Sequence, residues 1–541
     1  MDVYLYQSLL LSVVAVALLQ LAKLALKKPG AAPPPLPPGP WKLPVVGSMH
    51  HLVNVLPHRA LRDLAAAHGP LMLLQLGQTP LMVASSREAA RAVLKTHDAN
   101  FATRPKLLAG EIVGYEWADI LFAPSGDYWR KLRQLCAAEI LSPKRVLSFR
   151  HIREDEGTEK IAKNGTVIMM MTAQSPNTGC TRSARPGPSA PVNLSAMFHS
   201  ITNSVVSRAA FGKKRENAAE FLAVTMAVVG LSSGFNIPDL FPTCTTVLAR
   251  LTGMTRSLKE IHRTVDTILQ PPGDHRGAQA ARDVKIESGA AAKDVDVLIG
   301  LQEKGGFGFQ LTNSVIKAII LDMFAGGTGT SGSAMEWGMS ELMRNPAAFR
   351  GKAAVTEGDL QASNLRYMKV VIKEALRLHP PTPLLVPRET IEACELGGYT
   401  IPHRLASARP RMLPYRLNDV TILPSDTNKI RPKHRLSMRL TLVKNRCQYE
   451  FRPKRFKDGT RDFTSSNYKF LPFSSGCRMC PGFNYGLASM ELALVGLLYH
   501  FNLSLPEGVK EVDMEEAPVL DIHRRTPLVL CATPYTPHVA T

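Results

Sequence analysis

The sequence predicts a mainly α-helical domain with small β-sheets, preceded by an apolar N-terminal segment. Three observations carry this. Leu311–Asn345 and Phe483–Phe501 read as long helices, the first interrupted at Ala325–Ser331. A helix followed by short alternating apolar runs is expected from Gly47 through Leu76 and Val83, with closing strands at Pro518–Leu520 and Pro527–Leu530. The 541 residues are 45% hydrophobic and 20% charged, a globular balance that can bury a sizeable core.

Taken in order, the chain starts with Tyr4–Leu26, apolar but for Gln7, Gln20 and Lys23, and then Lys27-Lys28. About 20 such residues cross a bilayer, and lysines just behind them favour keeping the rest in the cytosol. With no basic start and no small-residue cleavage site, an uncleaved anchor over 1–28 is expected rather than a signal peptide. Pro33–Pro40 is locked and extended, so 29–47 reads as a stiff hinge and 48–541 as the catalytic domain.

The net charge of +20 raises nucleic acid or a membrane surface as a partner. His403–Glu450 alone holds eleven Lys/Arg against three Asp/Glu, with no interleaved aromatic platform, so nucleic acid is not expected. Eight scattered cysteines do not suggest a disulfide framework. Cys477 and Cys480 form a lone C-x-x-C without a second pair for zinc, or a βαβ pattern for a redox dithiol.

That pair lies in Phe473-Ser-Ser-Gly476-Cys-Arg478-Met-Cys480-Pro481-Gly482. Gly476 permits a tight turn and close backbone approach to a flat group. Arg478 offers a fork of donors to an anion. Pro481 suits the first turn of a helix whose positive end would keep the Cys480 sulfur ionised, with Phe473 shielding it. The plain alternative is a free cysteine in a Gly/Pro loop, but five matched positions arise by chance on the order of once in several thousand such chains.

The spacing F-x-x-G-x-R-x-C-x-G resembles the haem-ligand signature of the cytochrome P450 family. The resemblance implies haem b with Cys480 as the axial thiolate on iron, in a loop completed by Phe473, Gly476, Arg478 and Gly482. Further motifs follow in family order. Phe101–Pro105 is similar to the family. Trp129 and Arg133, four apart on a helix, match W-x-x-x-R, which implies contact with haem propionates, and Arg388 in Pro387-Arg388-Glu389 implies another. Glu374 and Arg377 match E-x-x-R, and Arg455 in Phe451–Phe456 would complete their lock, with Lys454 where glutamate is usual. Ala325–Ser331 matches A-G-x-(D/E)-T, with Thr330 as the threonine that manages protons for dioxygen. Gly329 replaces the acid, leaving water, Ser331 or the substrate to relay protons. A pocket is expected to include Ala325, Gly326, Leu384, Leu385, Val386, Val519 and Leu520, mostly apolar and suited to a lipophilic ligand.

The resemblance is nearest to plant microsomal members, including the grass group of momilactone-pathway diterpene oxidases. It implies a haem-thiolate monooxygenase at the endoplasmic reticulum membrane that oxidises a lipophilic plant specialised metabolite, a terpenoid and, more narrowly, a diterpene. O2 would be the oxidant, and NADPH-cytochrome P450 reductase would deliver the electrons. A P450-fold isomerase or dehydratase needing no reductase, and an inactive product of a disrupted gene, are the competing expectations. Residues 157–191, 270–294 and 403–450 depart from the family, and the last is not expected to supply the strand that belongs after Ile401-Pro402.

Overall fold

The computed structural model describes residues 35–156, 191–214, 217–269, 293–346, 357–403, 405–408, 450–457, 463, 468–517 and 522–534. The expected anchor at 1–28 lies outside them, as does most of each atypical segment. Among the described residues no helix is long and apolar enough to cross a membrane.

The elements that matter run as follows. Helix α1, Pro57–His68, opens with proline at a position where the missing N–H costs nothing and stops at Gly69. Strands β1, Leu71–Leu76, and β2, Thr79–Ala84, form an antiparallel hairpin. Helix α2 is Asp127–Glu139. Strand β3, Pro191–Asn193, leads into α3, Leu194–Phe211. The Asn193 side chain caps α3 by accepting from Ala196 N, and left-handed Gly212 ends it. Then come α4, Met254–Ile268, and the paired helices α5, Asn313–Gly327, and α6, Gly329–Arg344. Helix α7 is Glu357–Leu378. Short strands follow: β4, Arg388–Glu389; β5, Cys394–Leu396; β6, Tyr399–Ile401; β7, Ala406–Ala408. Helix α8, Phe483–His500, and strands β8, Phe501–Ser504, and β9, Val529–Pro534, close the chain.

These elements fall into two compact units. The first, Met1–Pro105 with Gly234–Gly253 and Leu384–Leu413, holds a four-stranded sheet in the order β1-β2-β7-β4 and the β5-β6 hairpin. Short alternating strands are expected here, but β1 is apolar at every position except Gln75, and both faces are buried. Met72, Leu74, Leu76, Leu81 and Val83 fill one core with Leu61 of α1, while Leu71, Leu73, Met82 and Ala84 fill a second with Phe101 and Ile401. Strand β7 corrects the expectation for His403–Glu450: it pairs in parallel with β2 and antiparallel with β4, so three small residues satisfy the sheet edge where no strand was expected. The described end of the predicted hinge is also tied down. Leu73 N donates to Pro38 O at 2.9 Å, and Thr400 N to Pro35 O at 2.9 Å. A Cβ on Gly39 would lie 1.9 Å from Leu73 O, so glycine is what lets the two backbones meet.

The second unit, Lys106–Ser233, Met254–Pro383 and Pro414–Thr541, is built on helices. Its core joins Phe198 and Ile201 of α3, Met335 and Met339 of α6, Ile372 and Leu376 of α7, and Met490, Leu494 and Leu497 of α8, with β3-β9-β8 as its sheet. The expected interruption of the central helix is a single residue, Thr328. Its carbonyl lies 3.1 Å from the Thr202 hydroxyl of α3, a side-chain insertion of the kind that kinks helices.

Candidate active site

The cysteine loop is shaped by its backbone. Ser474 and Gly476 both take the left-handed conformation, at φ 64° and 72°. Cys480 N donates to Phe473 O at 2.9 Å, closing the loop on itself. Cys480 is exposed, whereas Cys477 is half-buried, so the two cysteines are presented differently. Phe473 packs edge-on against Phe463, ring centres 5.1 Å apart, and Phe483 stands 6.0 Å away. Helix α8 starts at Phe483 with Gly482 as its cap, so Pro481 stands just before the helix rather than in its first turn.

Two of the predicted residues, both on α2, meet the loop. Arg133, on α2, donates to the Met479 carbonyl. Trp129, one turn earlier, has its ring 3.7 Å from the Arg478 guanidinium and 5.8 Å from that of Arg133. Both Trp129 and Arg478 also bind the loop before α2. Trp129 Nε1 donates to Ile120 O at 3.0 Å, and Arg478 donates to Ile120 O at 3.2 Å and Ala123 O at 2.5 Å.

On the central helix, Thr330 Oγ1 donates to Gly326 O at 2.6 Å. Gly326 is exposed, Ala325 and Thr330 are half-buried, and their neighbours Thr328 and Gly329 are buried. A Cβ at Gly326 would meet nothing within 4 Å, so small residues leave open space along this face. Ser331 is buried, and its Oγ lies 3.3 Å from where a Cβ on Gly486 of α8 would stand.

Glu374 is fully buried and receives four bonds. Arg377 donates at 2.7 and 2.9 Å, Arg455 Nε at 3.1 Å, and the Arg452 backbone N–H at 2.8 Å. Arg377 and Arg455 each also reach Glu450 O at 3.3 Å. The i, i+3 spacing on α7 places the first pair, and the short turn Pro453–Phe456 brings in the third member.

Of the remaining predicted residues, four belong to the first unit. Arg388 belongs to the first unit, where it donates to Asp98 at 2.6 Å and is buried. Leu384 and Leu385 are buried in the same unit, Leu384 in its core, and the Val386 carbonyl accepts from Arg104 at 2.9 Å. Val519 and Leu520 lie outside the described residues.

The family model for cytochrome P450 matches residues 37–404 and 449–531. The chain belongs to the cytochrome P450 family. Its relatives include premnaspirodiene oxygenase of Hyoscyamus muticus, 41% identical over 516 residues that cover 93% of each chain. The 5-epiaristolochene 1,3-dihydroxylase of Nicotiana tabacum is 39% identical over 517 residues, again 93% of each. A zebra fish cytochrome P450 solved with abiraterone shares the fold, with a TM-score of 0.61 at 19% identity over 89% of this chain and 100% of that one. This P450 is therefore a monooxygenase of the plant type, and the break in the family match, 405–448, falls on the basic segment that departs from the family pattern.

The family's haem-thiolate iron suits the donors present. Among the described residues no three His, Cys, Asp or Glu side chains cluster to hold a metal. A single exposed thiol can fix iron only if a macrocycle supplies the other ligands, which is what haem does. Two residues of this region escaped the sequence reading. Asp322 of α5 accepts from Ile120 N at 2.7 Å and Leu121 N at 3.2 Å, and Asp119 accepts from Phe122 N. The signal was available: Asp322 is the one acid in the apolar run Ala318–Ala325.

Proposed function

We propose that this P450 inserts one oxygen atom into a lipophilic terpenoid, using O2 and electrons that NADPH-cytochrome P450 reductase passes from NADPH. The observation that carries the reading is the exposed Cys480 on a self-closed loop, beneath an arginine–tryptophan stack. Cys480 would hold haem iron, with Arg133, Arg478 and Trp129 on the propionate side. Bound there, haem supplies the cleavage of dioxygen, one atom entering a substrate C–H bond and the other leaving as water. Thr330 holds a proton at its hydroxyl beside the open face of Gly326. Gly329 brings no acid and Ser331 is packed toward α8, so Thr330 carries the relay in this reading. The Glu374–Arg377–Arg455 lock keeps the polypeptide rigid while charge moves nearby.

The substrate class rests on the relatives, whose names denote unsaturated hydrocarbons, and on the apolar character of the pocket residues named above. A diterpene skeleton is the narrower proposal. The apolar segment at 4–26 is proposed to anchor the chain in the endoplasmic reticulum membrane with the catalytic units in the cytosol. The test is co-expression with the reductase in microsomes supplied with a panel of terpenes, diterpenes included. The expected result is an NADPH-dependent product heavier by one oxygen atom. A rearranged product formed without NADPH would replace this reading with an isomerase or dehydratase, and haem-free protein would mean an inactive chain.

A further inference from the structure

We propose that Asp322 and Asp119 are positioning residues for the cofactor side of the site: they hold residues 119–123 as a carbonyl cradle that aims Arg478 and Trp129. The proposal rests on the haem reading above. It starts from a contrast on the central helix. Thr330 sits at the open face, whereas Asp322, two turns earlier, is turned into the protein and spent on backbone. Its Oδ2 takes the N–H groups of Ile120 and Leu121, at 2.7 and 3.2 Å. Asp119, only 3% exposed, takes the next N–H, that of Phe122. Three consecutive amides thus point at two carboxyl groups, which turns the carbonyls sharing those peptide planes, Ile120 O among them, the other way. Ile120 O and Ala123 O then receive two bonds from Arg478 and one from Trp129. Tyr128 steadies the start of the segment by donating to Ala118 O at 2.7 Å.

A loop needs no acid to stay in place, and a buried carboxyl is a costly way to hold one. Burial pushes Asp322 well above the usual carboxylate range, and Asp119 pushes it further the same way. The two backbone N–H bonds act against that rise. What the pair secures is the plane of a guanidinium. With two donors directed at loop carbonyls and one face on the Trp129 ring, Arg478 has little freedom left. Gly114 fits the same design. A Cβ there would lie 2.3 Å from Asp119 Oδ2 and 2.6 Å from Gly110 O, so only glycine lets the carboxylate into its place.

The test uses the full-length holoprotein and reads the rate of haem transfer to apomyoglobin. Asp322→Leu removes the acceptor and should speed haem loss at least about tenfold, the lower end of what outer-shell partners contribute at metal centres. In an Arg478→Lys background, where the fork is already lost, the same change should add less than about twofold, because the two residues act through one contact. Asp322→Asn keeps an acceptor oxygen and should stay within about twofold of wild type. If Asp322→Leu does not accumulate, Gly114→Ala serves, since its methyl must displace Asp119. It should also speed haem loss, and only where Arg478 is present. Equal acceleration in both backgrounds, or Gly114→Ala protein that keeps haem as firmly as wild type, would overturn the positioning role. A wild-type chain that takes up no haem would overturn the haem reading instead.

Discussion

The guanidinium of Arg478 lies 3.7 Å from the centre of the Trp129 ring, joining the cysteine loop to α2, two segments far apart in the sequence. A desolvated cation–π contact of this kind contributes up to about 2 kcal/mol. Trp129 is also buried and donates to Ile120 O. Trp129→Ala should therefore cost about 3–5 kcal/mol. Trp129→Phe keeps a ring for Arg478 and removes one of the two donors to the Ile120 carbonyl, and should cost less, about 0.5–1.5 kcal/mol. Denaturant titration followed by far-ultraviolet circular dichroism checks both values and their order.

Glu374 is shared by Arg377 and Arg455. Glu374→Ala removes a buried carboxylate from both guanidinium groups and should destabilise the fold by about 3–5 kcal/mol. Glu374→Gln keeps acceptor geometry but not charge, and should fall between wild type and alanine. Unfolding midpoints of the three proteins, at equal cofactor loading, decide it.

Stability should also depend on pH through Asp294. It is buried at the start of the helix Asp294–Lys304, with Arg145 at 2.8 Å. Burial outweighs that attraction and pushes its carboxyl from 3.8 up to about 7. Between those values the folded protein keeps a proton that the unfolded chain has released. Stability from this group is thus fully present below the unfolded value and is lost as pH rises through about 7. Thermal midpoints of wild type minus those of Asp294→Asn should fall between pH 5 and 8. A difference that rises or stays flat over that interval would show that the acid is ionised in the fold.

Much of the site was legible because its parts are local in sequence. The i, i+3 spacing of Glu374 and Arg377, the four-residue spacing of Trp129 and Arg133, and the glycine-rich break at Thr328 all show their geometry without knowledge of the fold. What could not be read depends on partners far along the chain. The apolar runs of β1 and β2 reveal strands, but not which core each face meets. Ala406–Ala408 has no strand-like pattern and pairs only because β2 and β4 offer it edges. Asp322 is an acid in an apolar run and was passed over, because its purpose lies in amides some two hundred residues earlier.

The most direct test of the account is the reduced-plus-CO difference spectrum of membranes carrying wild type, Cys480→Ala or Cys477→Ala protein. The account predicts the red-shifted Soret band of a thiolate-ligated carbonyl complex in wild type and Cys477→Ala, and its loss in Cys480→Ala. Equal loss in both variants, or a band that survives in Cys480→Ala, would contradict it.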